Sequence, residues 1–138
     1  MSNPSDDELI EIYREVRTIA VVGASADPEK PSHKIPAYLQ SVGYRIIPVN
    51  PSADELFGEP VHRTLADIDE PVDVVDVFRP SAETPAIARH AAEIGASVLW
   101  LQVGITSTEA ERIATEAGMT VVMDICMGAT HKRLADQL

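Results

Sequence analysis

Apolar residues in this chain fall into two rhythms. Five short runs rich in β-branched residues read as strands: Thr18-Ile19-Ala20-Val21-Val22, Tyr44-Arg45-Ile46-Ile47-Pro48-Val49, Val72-Asp73-Val74-Val75-Asp76-Val77-Phe78, Val98-Leu99-Trp100-Leu101-Gln102-Val103 and Met119-Thr120-Val121-Val122-Met123. Their nearly continuous apolar character suits strands buried on both faces. Between them apolar positions recur at helical spacing, as in Ile87, Ala88, Ala91 and Ile94. Three such stretches stop at Gly43, Gly95 and Gly118, and each is followed by a strand within a few residues. A glycine there takes the left-handed conformation that ends a helix without a Cβ clash. Helix starts are marked by Ser5-Asp6-Asp7-Glu8 and Thr106-Ser107-Thr108-Glu109, both of capping-box form, and by Ser81.

Repeated helix-glycine-strand joints imply parallel neighbours, because a parallel pair needs a crossover and a helix is the usual one. The fold class that follows is α/β: a three-layer, Rossmann-like, doubly wound and mainly parallel sheet of five or six strands with an added N-terminal helix. Residues 1–138 read as one domain, with a leading helix at 1–16, a core at 17–126 and a C-terminal tail at 127–138. The Pro-, Asp- and Glu-rich piece at 51–71 reads as a loop with a short edge strand near 60–62 and a helical turn at 65–68. Asp73 and Asp76 point to opposite faces of their strand and cannot serve one substrate together.

Composition adds the electrostatic frame. With 22 acidic and 11 basic side chains the formal charge is −11, a field that repels nucleic acid. No apolar run reaches the roughly 20 residues of a membrane helix, so no membrane partner is expected. The single cysteine, Cys126, excludes an internal disulfide and fits a reducing, cytoplasmic compartment. It reads as a small apolar side chain where a buried strand ends. His33, His62, His90 and His131 show no metal spacing, so no metal site is expected. Ser25 lacks a nucleophile elbow, and no catalytic constellation emerges.

Ligands of such sheets bind beyond the carboxyl ends of the strands, where the strand order reverses. Gly23-Ala24-Ser25 ends the first strand, and its backbone N–H groups with the next helix's positive end form an anion site. It is not a dinucleotide fingerprint, which needs three spaced glycines. Two of the chain's three lysines, Lys30 and Lys34, follow it, flanking Ser32. The second strand ends at Asn50-Pro51, where NAD-binding sheets place a carboxylate for the ribose. A neutral residue there admits a phosphorylated ribose instead. Arg79, between Phe78 and Pro80, can pair with a phosphate or lie flat on a purine. Coenzyme A, NADP or a simpler nucleotide fit these features better than NAD.

Six pieces in order carry a family resemblance: Val21-Val22-Gly23-Ala24-Ser25, Lys30-x-Ser32, Tyr38-Leu39 through Gly43-Tyr44, Ile47-Pro48-Val49-Asn50-Pro51, Asp73-Val74-Val75-Asp76-Val77-Phe78-Arg79, and Trp100-Leu101-Gln102-x-Gly104. Together they resemble the stand-alone CoA-binding domain family, Rossmann-like modules related to the CoA-binding half of the succinyl-CoA synthetase α subunit and of ADP-forming acyl-CoA synthetases. The resemblance implies Gly23, Ala24 and Ser25 against a pyrophosphate, with Lys30, Ser32 and Lys34 around it. It implies Asn50 and Pro51 at the ribose or its phosphate, Phe78, Arg79 and Pro80 at the adenine, and Val103, Gly104 and Ile105 along the pantetheine arm. The chain departs from the family pattern at Thr130, where an acidic residue is expected before His131. The function implied is binding of CoA or acyl-CoA by a non-catalytic sensor, carrier or accessory subunit. A small NADP-linked oxidoreductase and the CoA-binding subunit of a split ADP-forming acyl-CoA synthetase are the alternatives, and a homodimer or a larger partner chain is compatible with either.

Overall fold

The structure, a computed structural model, describes residues 3–138. Five strands, β1 (Thr18–Val22), β2 (Arg45–Val49), β5 (Val74–Val77), β6 (Val98–Leu101) and β7 (Thr120–Val122), form one parallel sheet in the order β2-β1-β5-β6-β7. Two short strands, β3 (Glu55–Leu56) and β4 (Glu59–Pro60), form a separate antiparallel hairpin. Among the described residues the α-helices are α1 (Asp6–Glu15), α2 (Pro31–Ser41), α3 (Thr84–Glu93), α4 (Thr108–Glu116) and α5 (Met127–Leu134). The α/β, doubly wound arrangement is the one expected from sequence.

Alternation along each strand divides the core into two halves. Ile19, Val21, Val74, Val98, Trp100 and Val122 face one side with Leu9, Ile10 and Tyr13 of α1, Leu39 of α2 and Met127 and Leu134 of α5. Ala20, Ile47, Val75, Val77, Leu99 and Leu101 face the other, with Ile87, Ala88 and Ala91 of α3 and Ala110 and Ala114 of α4. A side-chain period of two produces this division. All four residues of β5 and of β6 are buried, as their apolar runs predict.

The N-terminal cap is as read: the Ser5 hydroxyl accepts from the Glu8 N–H at 3.3 Å, and the Glu8 carboxylate accepts from the Ser5 N–H at 3.1 Å. Two other caps differ. Helix α4 is capped one residue later, by Ser107, which accepts from the Ala110 N–H at 3.1 Å. Ser81 caps nothing, because a 3-10 turn (Ser81–Glu83) precedes α3. Its hydroxyl instead accepts from the Thr106 N–H at 3.2 Å, joining the loops that follow β5 and β6.

The edge segment expected at 60–62 takes part in two structures. The β3–β4 hairpin turns through Phe57 and Gly58, at φ 58° and 73°, the left-handed pair of a type I′ turn. Beyond it, the His62 N–H donates to the Pro48 carbonyl and the Asn50 N–H to the His62 carbonyl, both at 3.0 Å, which lays residue 62 alongside β2. The helical turn is present at Leu65–Asp67.

The segment after 126, expected as a tail, is helix α5 with buried residues on its inner face. Its attachment is polar as well as apolar. The Tyr13 hydroxyl donates to the Met127 carbonyl at 2.7 Å, and Tyr38 is hydrogen-bonded to His131 Nδ1 at 2.8 Å. The His131 ring meets Tyr13, Tyr38 and Tyr44 edge-on. Burial lowers the proton affinity of His131 and raises that of the Tyr13 phenolate. Tyr13→Phe leaves a buried carbonyl without its donor and is expected to reduce stability by about 1–3 kcal/mol in urea denaturation. An unchanged midpoint would mean that the contact contributes nothing to holding α5.

Candidate functional site

The strand order reverses between β1 and β5: the chain leaves β1 through α2 towards β2 and leaves β5 through α3 towards β6. The two helices lie on opposite faces of the sheet, so the crossovers diverge and leave a crevice at the carboxyl ends. A cleft of about 520 Å³ lies there, lined by Val22 through Ser25, Lys30, Ser32, Val49, Asn50, Pro51, Arg63, Phe78, Arg79, Glu83 and Ile87. A second cleft of about 520 Å³ shares Lys30, Ser32 and Phe78 with it and continues along Pro31, Ile35, Gln102, Val103, Ile105 and Cys126. The first is walled by charged and polar groups, the second mainly by apolar ones.

The glycine turn is held by the fold itself. Gly23 has φ 89°, and a Cβ there would lie 3.0 Å from Arg79 Cδ and 3.1 Å from the Phe78 carbonyl. Glycine is required both by conformation and by this close approach. The Gly23 N–H donates to the Val49 carbonyl at 3.1 Å, and the Ser25 N–H to the Ser32 carbonyl at 3.2 Å. The Ala24 N–H alone of the three has no partner among the described residues. His33 Nδ1 meets the Ser25 carbonyl at 2.7 Å while its ring packs on Phe57 of the hairpin, so His33 braces this turn.

Helix α2 begins beside the turn with Lys30 as its N-cap and Pro31 at its first position. No side chain caps it and no acidic residue occupies its first turn. The Ser32 N–H and hydroxyl have no partner among the described residues. This helix end, with its partial positive charge, therefore presents donors and the Lys30 ammonium to the cleft.

The side chain of Asn50 is held through both its nitrogen and its oxygen. Its amide donates to the Ala24 carbonyl at 2.7 Å, and its oxygen accepts from the Ser52 and Ala53 N–H groups, each at 2.8 Å. It ties the end of β2 to the glycine turn. Arg79 is held by Glu83, with Nε donating at 3.1 Å and Nη2 at 2.8 Å. That fork takes one in-plane edge of the guanidinium, and the planar faces remain available for stacking. Arg63, which no sequence pattern marked, enters the cleft from the loop after the hairpin.

Of the residues expected at the site, Gly23, Ala24, Ser25, Lys30, Ser32, Asn50, Pro51, Phe78 and Arg79 line the first cleft, and Val103 and Ile105 the second. Lys34 and Pro80 are exposed and line neither. Gly104 also lines neither; its N–H donates to the Asp124 carboxylate at 2.6 Å. Cys126 lies four residues beyond the end of β7 and is a helix cap, not the strand-end residue expected: Sγ accepts from the Ala129 N–H at 3.3 Å, because α5 starts where a tail was expected.

The residues from 17 to 132 match the family described as CoA binding domain. The chain belongs to that family. This CoA-binding domain is 43% identical over 131 residues to the protein YneT of Bacillus subtilis (strain 168), covering 95% of this chain and 97% of YneT. It superposes on a solved structure, cell-free ID.343 of Thermus thermophilus, with a TM-score of 0.91 and 43% identity, over 95% of this chain and 99% of that one. It is also 31% identical over 81 residues to acetate–CoA ligase [ADP-forming] II of Archaeoglobus fulgidus, matching 57% of this chain but only 12% of the ligase.

Beneath the second cleft lies the buried carboxyl of this CoA-binding domain. Asp76 is 0% exposed; one of its oxygens accepts from Gln102 Nε2 and the other has no partner. Gln102 Oε1 in turn accepts from the Met127 N–H at 3.4 Å, linking the carboxyl to the start of α5. Burial pushes the Asp76 carboxyl up to about 7, against the opposing pull of Gln102 and the Val77 N–H. An unfolded aspartate releases its proton near 3.8, so the native state binds more protons between about pH 4 and pH 7, and stability from this group falls across that window as pH rises. Asp76→Asn keeps an acceptor for Gln102 without the charge. Its melting temperature is expected to gain on the parent by several degrees between pH 4 and pH 8; a constant difference across that range would show that Asp76 is ionised throughout.

Proposed function

We propose that this chain binds coenzyme A or an acyl-CoA as a non-catalytic module: a sensor, a carrier or an accessory subunit. The observation that carries the reading is a pair of joined clefts of opposite character, one polar at the strand-order reversal and one apolar, meeting at Lys30, Ser32 and Phe78. A ligand with a phosphorylated nucleotide at one end and a pantetheine arm at the other has the same division. The pyrophosphate lies against the Ala24 N–H and the start of α2, where Ser32 and Lys30 supply donors and charge. Adenine stacks on the face of Arg79 beside Phe78, and the arm leaves past Val103 and Ile105.

Among the described residues Glu83 is the one carboxylate lining either cleft, and it is paired with Arg79, while Asp76 is sealed beneath the surface at 0% exposure. This supports a binding role over acid–base chemistry. A second reading, the CoA-binding subunit of a split ADP-forming synthetase, draws on the likeness to the Archaeoglobus fulgidus ligase. Its signature is co-purification with a larger chain and ADP-forming activity only in the mixture.

Thermal-shift titration with CoA, acetyl-CoA, NADP and NAD tests the ligand class. CoA at about a hundred times its dissociation constant is expected to stabilise the protein by ~2.7 kcal/mol. Stabilisation by a nicotinamide nucleotide with no response to CoA would overturn the reading. Lys30→Ala is expected to weaken CoA and dephospho-CoA by the same factor, since both carry the pyrophosphate.

A further inference from the structure

The first cleft holds three cations, and their commitments differ. Lys30 stands at the start of α2, facing the glycine turn. Arg79 has its Nε and Nη2 edge taken by both oxygens of Glu83. Arg63 is held by its other end: Nη1 donates to the Asn50 carbonyl at 3.2 Å and to the Ala53 carbonyl at 2.5 Å. Nη2 gives one bond to Asp54 at 3.0 Å. Counting donors, a guanidinium has five N–H groups, so the Nε–H and one Nη2–H of Arg63 have no partner among the described residues.

Position adds to this count. The Asn50 and Ala53 carbonyls fix the guanidinium over the end of β2, the place where sheets of this kind seat the adenosine ribose. Two bonds between residue 62 and the β2 end, to Pro48 and from Asn50, set the backbone beside it. The Asp54 side chain that shares the guanidinium is 96% exposed, a screened partner that an anion displaces readily. Arg63 is thus a cation anchored by neutral carbonyls, with donors to spare, beside the expected ribose.

From this geometry we infer that Arg63 reads a phosphate monoester on the ligand's ribose and so sets the preference for CoA over dephospho-CoA, while Arg79 does not. The inference rests on the CoA reading above. A dianionic phosphate on the ribose accepts from Nε–H and Nη2–H, with Asp54 swinging into solvent. Arg79 keeps both Nη1–H groups and one Nη2–H without a partner among the described residues, but its charge is already met by the two-pronged Glu83 carboxylate, so it contributes equally to ligands with and without that phosphate.

Isothermal titration of CoA and dephospho-CoA into the parent protein, Arg63→Gln, Asp54→Asn and Arg79→Gln tests this. The parent is expected to prefer CoA by roughly ten- to a hundredfold, the range for charge-assisted hydrogen bonds, and Arg63→Gln to abolish that preference by weakening CoA alone. Asp54→Asn removes the competing carboxylate on an exposed side chain and is expected to strengthen CoA binding up to about fivefold. Arg79→Gln is expected to leave the CoA to dephospho-CoA ratio unchanged. If the parent binds neither ligand, the CoA reading itself fails. If the parent binds both and Arg63→Gln weakens them by one common factor, or if Arg79→Gln collapses the ratio, the assignment to Arg63 is overturned while the CoA reading stands.

Discussion

Every part of the site depends on the point between β1 and β5 where the strand order turns back. All five strands of the sheet run the same way, so their carboxyl ends share one edge, and each crossover helix starts on that edge with unsatisfied N–H groups. At the reversal the two crossovers part to opposite faces, and no helix covers the gap. The glycine turn has to pass under Arg79 and the Phe78 carbonyl to enter this gap, which is why a side chain at residue 23 is excluded. The polar lining is then brought to one place by backbone routing alone, from residues as distant in sequence as Ala24 and Glu83.

What the linear pattern exposed and what it hid divide along a physical line. Features written in local periodicity were legible: the five apolar runs became the five strands, and the helices before Gly43, Gly95 and Gly118 end where those residues take positive φ. The fold class and much of the cleft lining followed, because the strand ends fix where cleft-facing residues must fall. Features that depend on tertiary pairing were not. Arg63 lies in an irregular stretch with no period, and it reaches the cleft only because the chain beyond the hairpin runs back along β2. Ser81 looks like a cap in sequence, yet the backbone takes a 3-10 turn there and its hydroxyl serves another loop. Helix α5, only eight residues long, carries too weak a pattern to be separated from a tail, and with it the capping role of Cys126 was hidden.

Charge is distributed with the same economy. An acidic chain must gather its few cations to attract an anion, and those in the cleft are graded by what already holds them. Glu83 neutralises Arg79 and turns it into a flat, oriented surface, whereas the anchors of Arg63 are mainly carbonyls that leave its charge available. Formal charge at a strand end is therefore a poor guide to function. How closely the fold has already neutralised that charge is a better one.

The loops beyond β6 and β7 are tied together by the bond from the Gly104 N–H to the Asp124 carboxylate, with Asp124 itself in the left-handed region at φ 60°. This fastening holds Val103, 65% exposed, out at the mouth of the apolar cleft. Because that rim is already tied down in the fold, a ligand entering past it would not have to order the loop again. Less of its binding energy would be spent on lost conformational freedom.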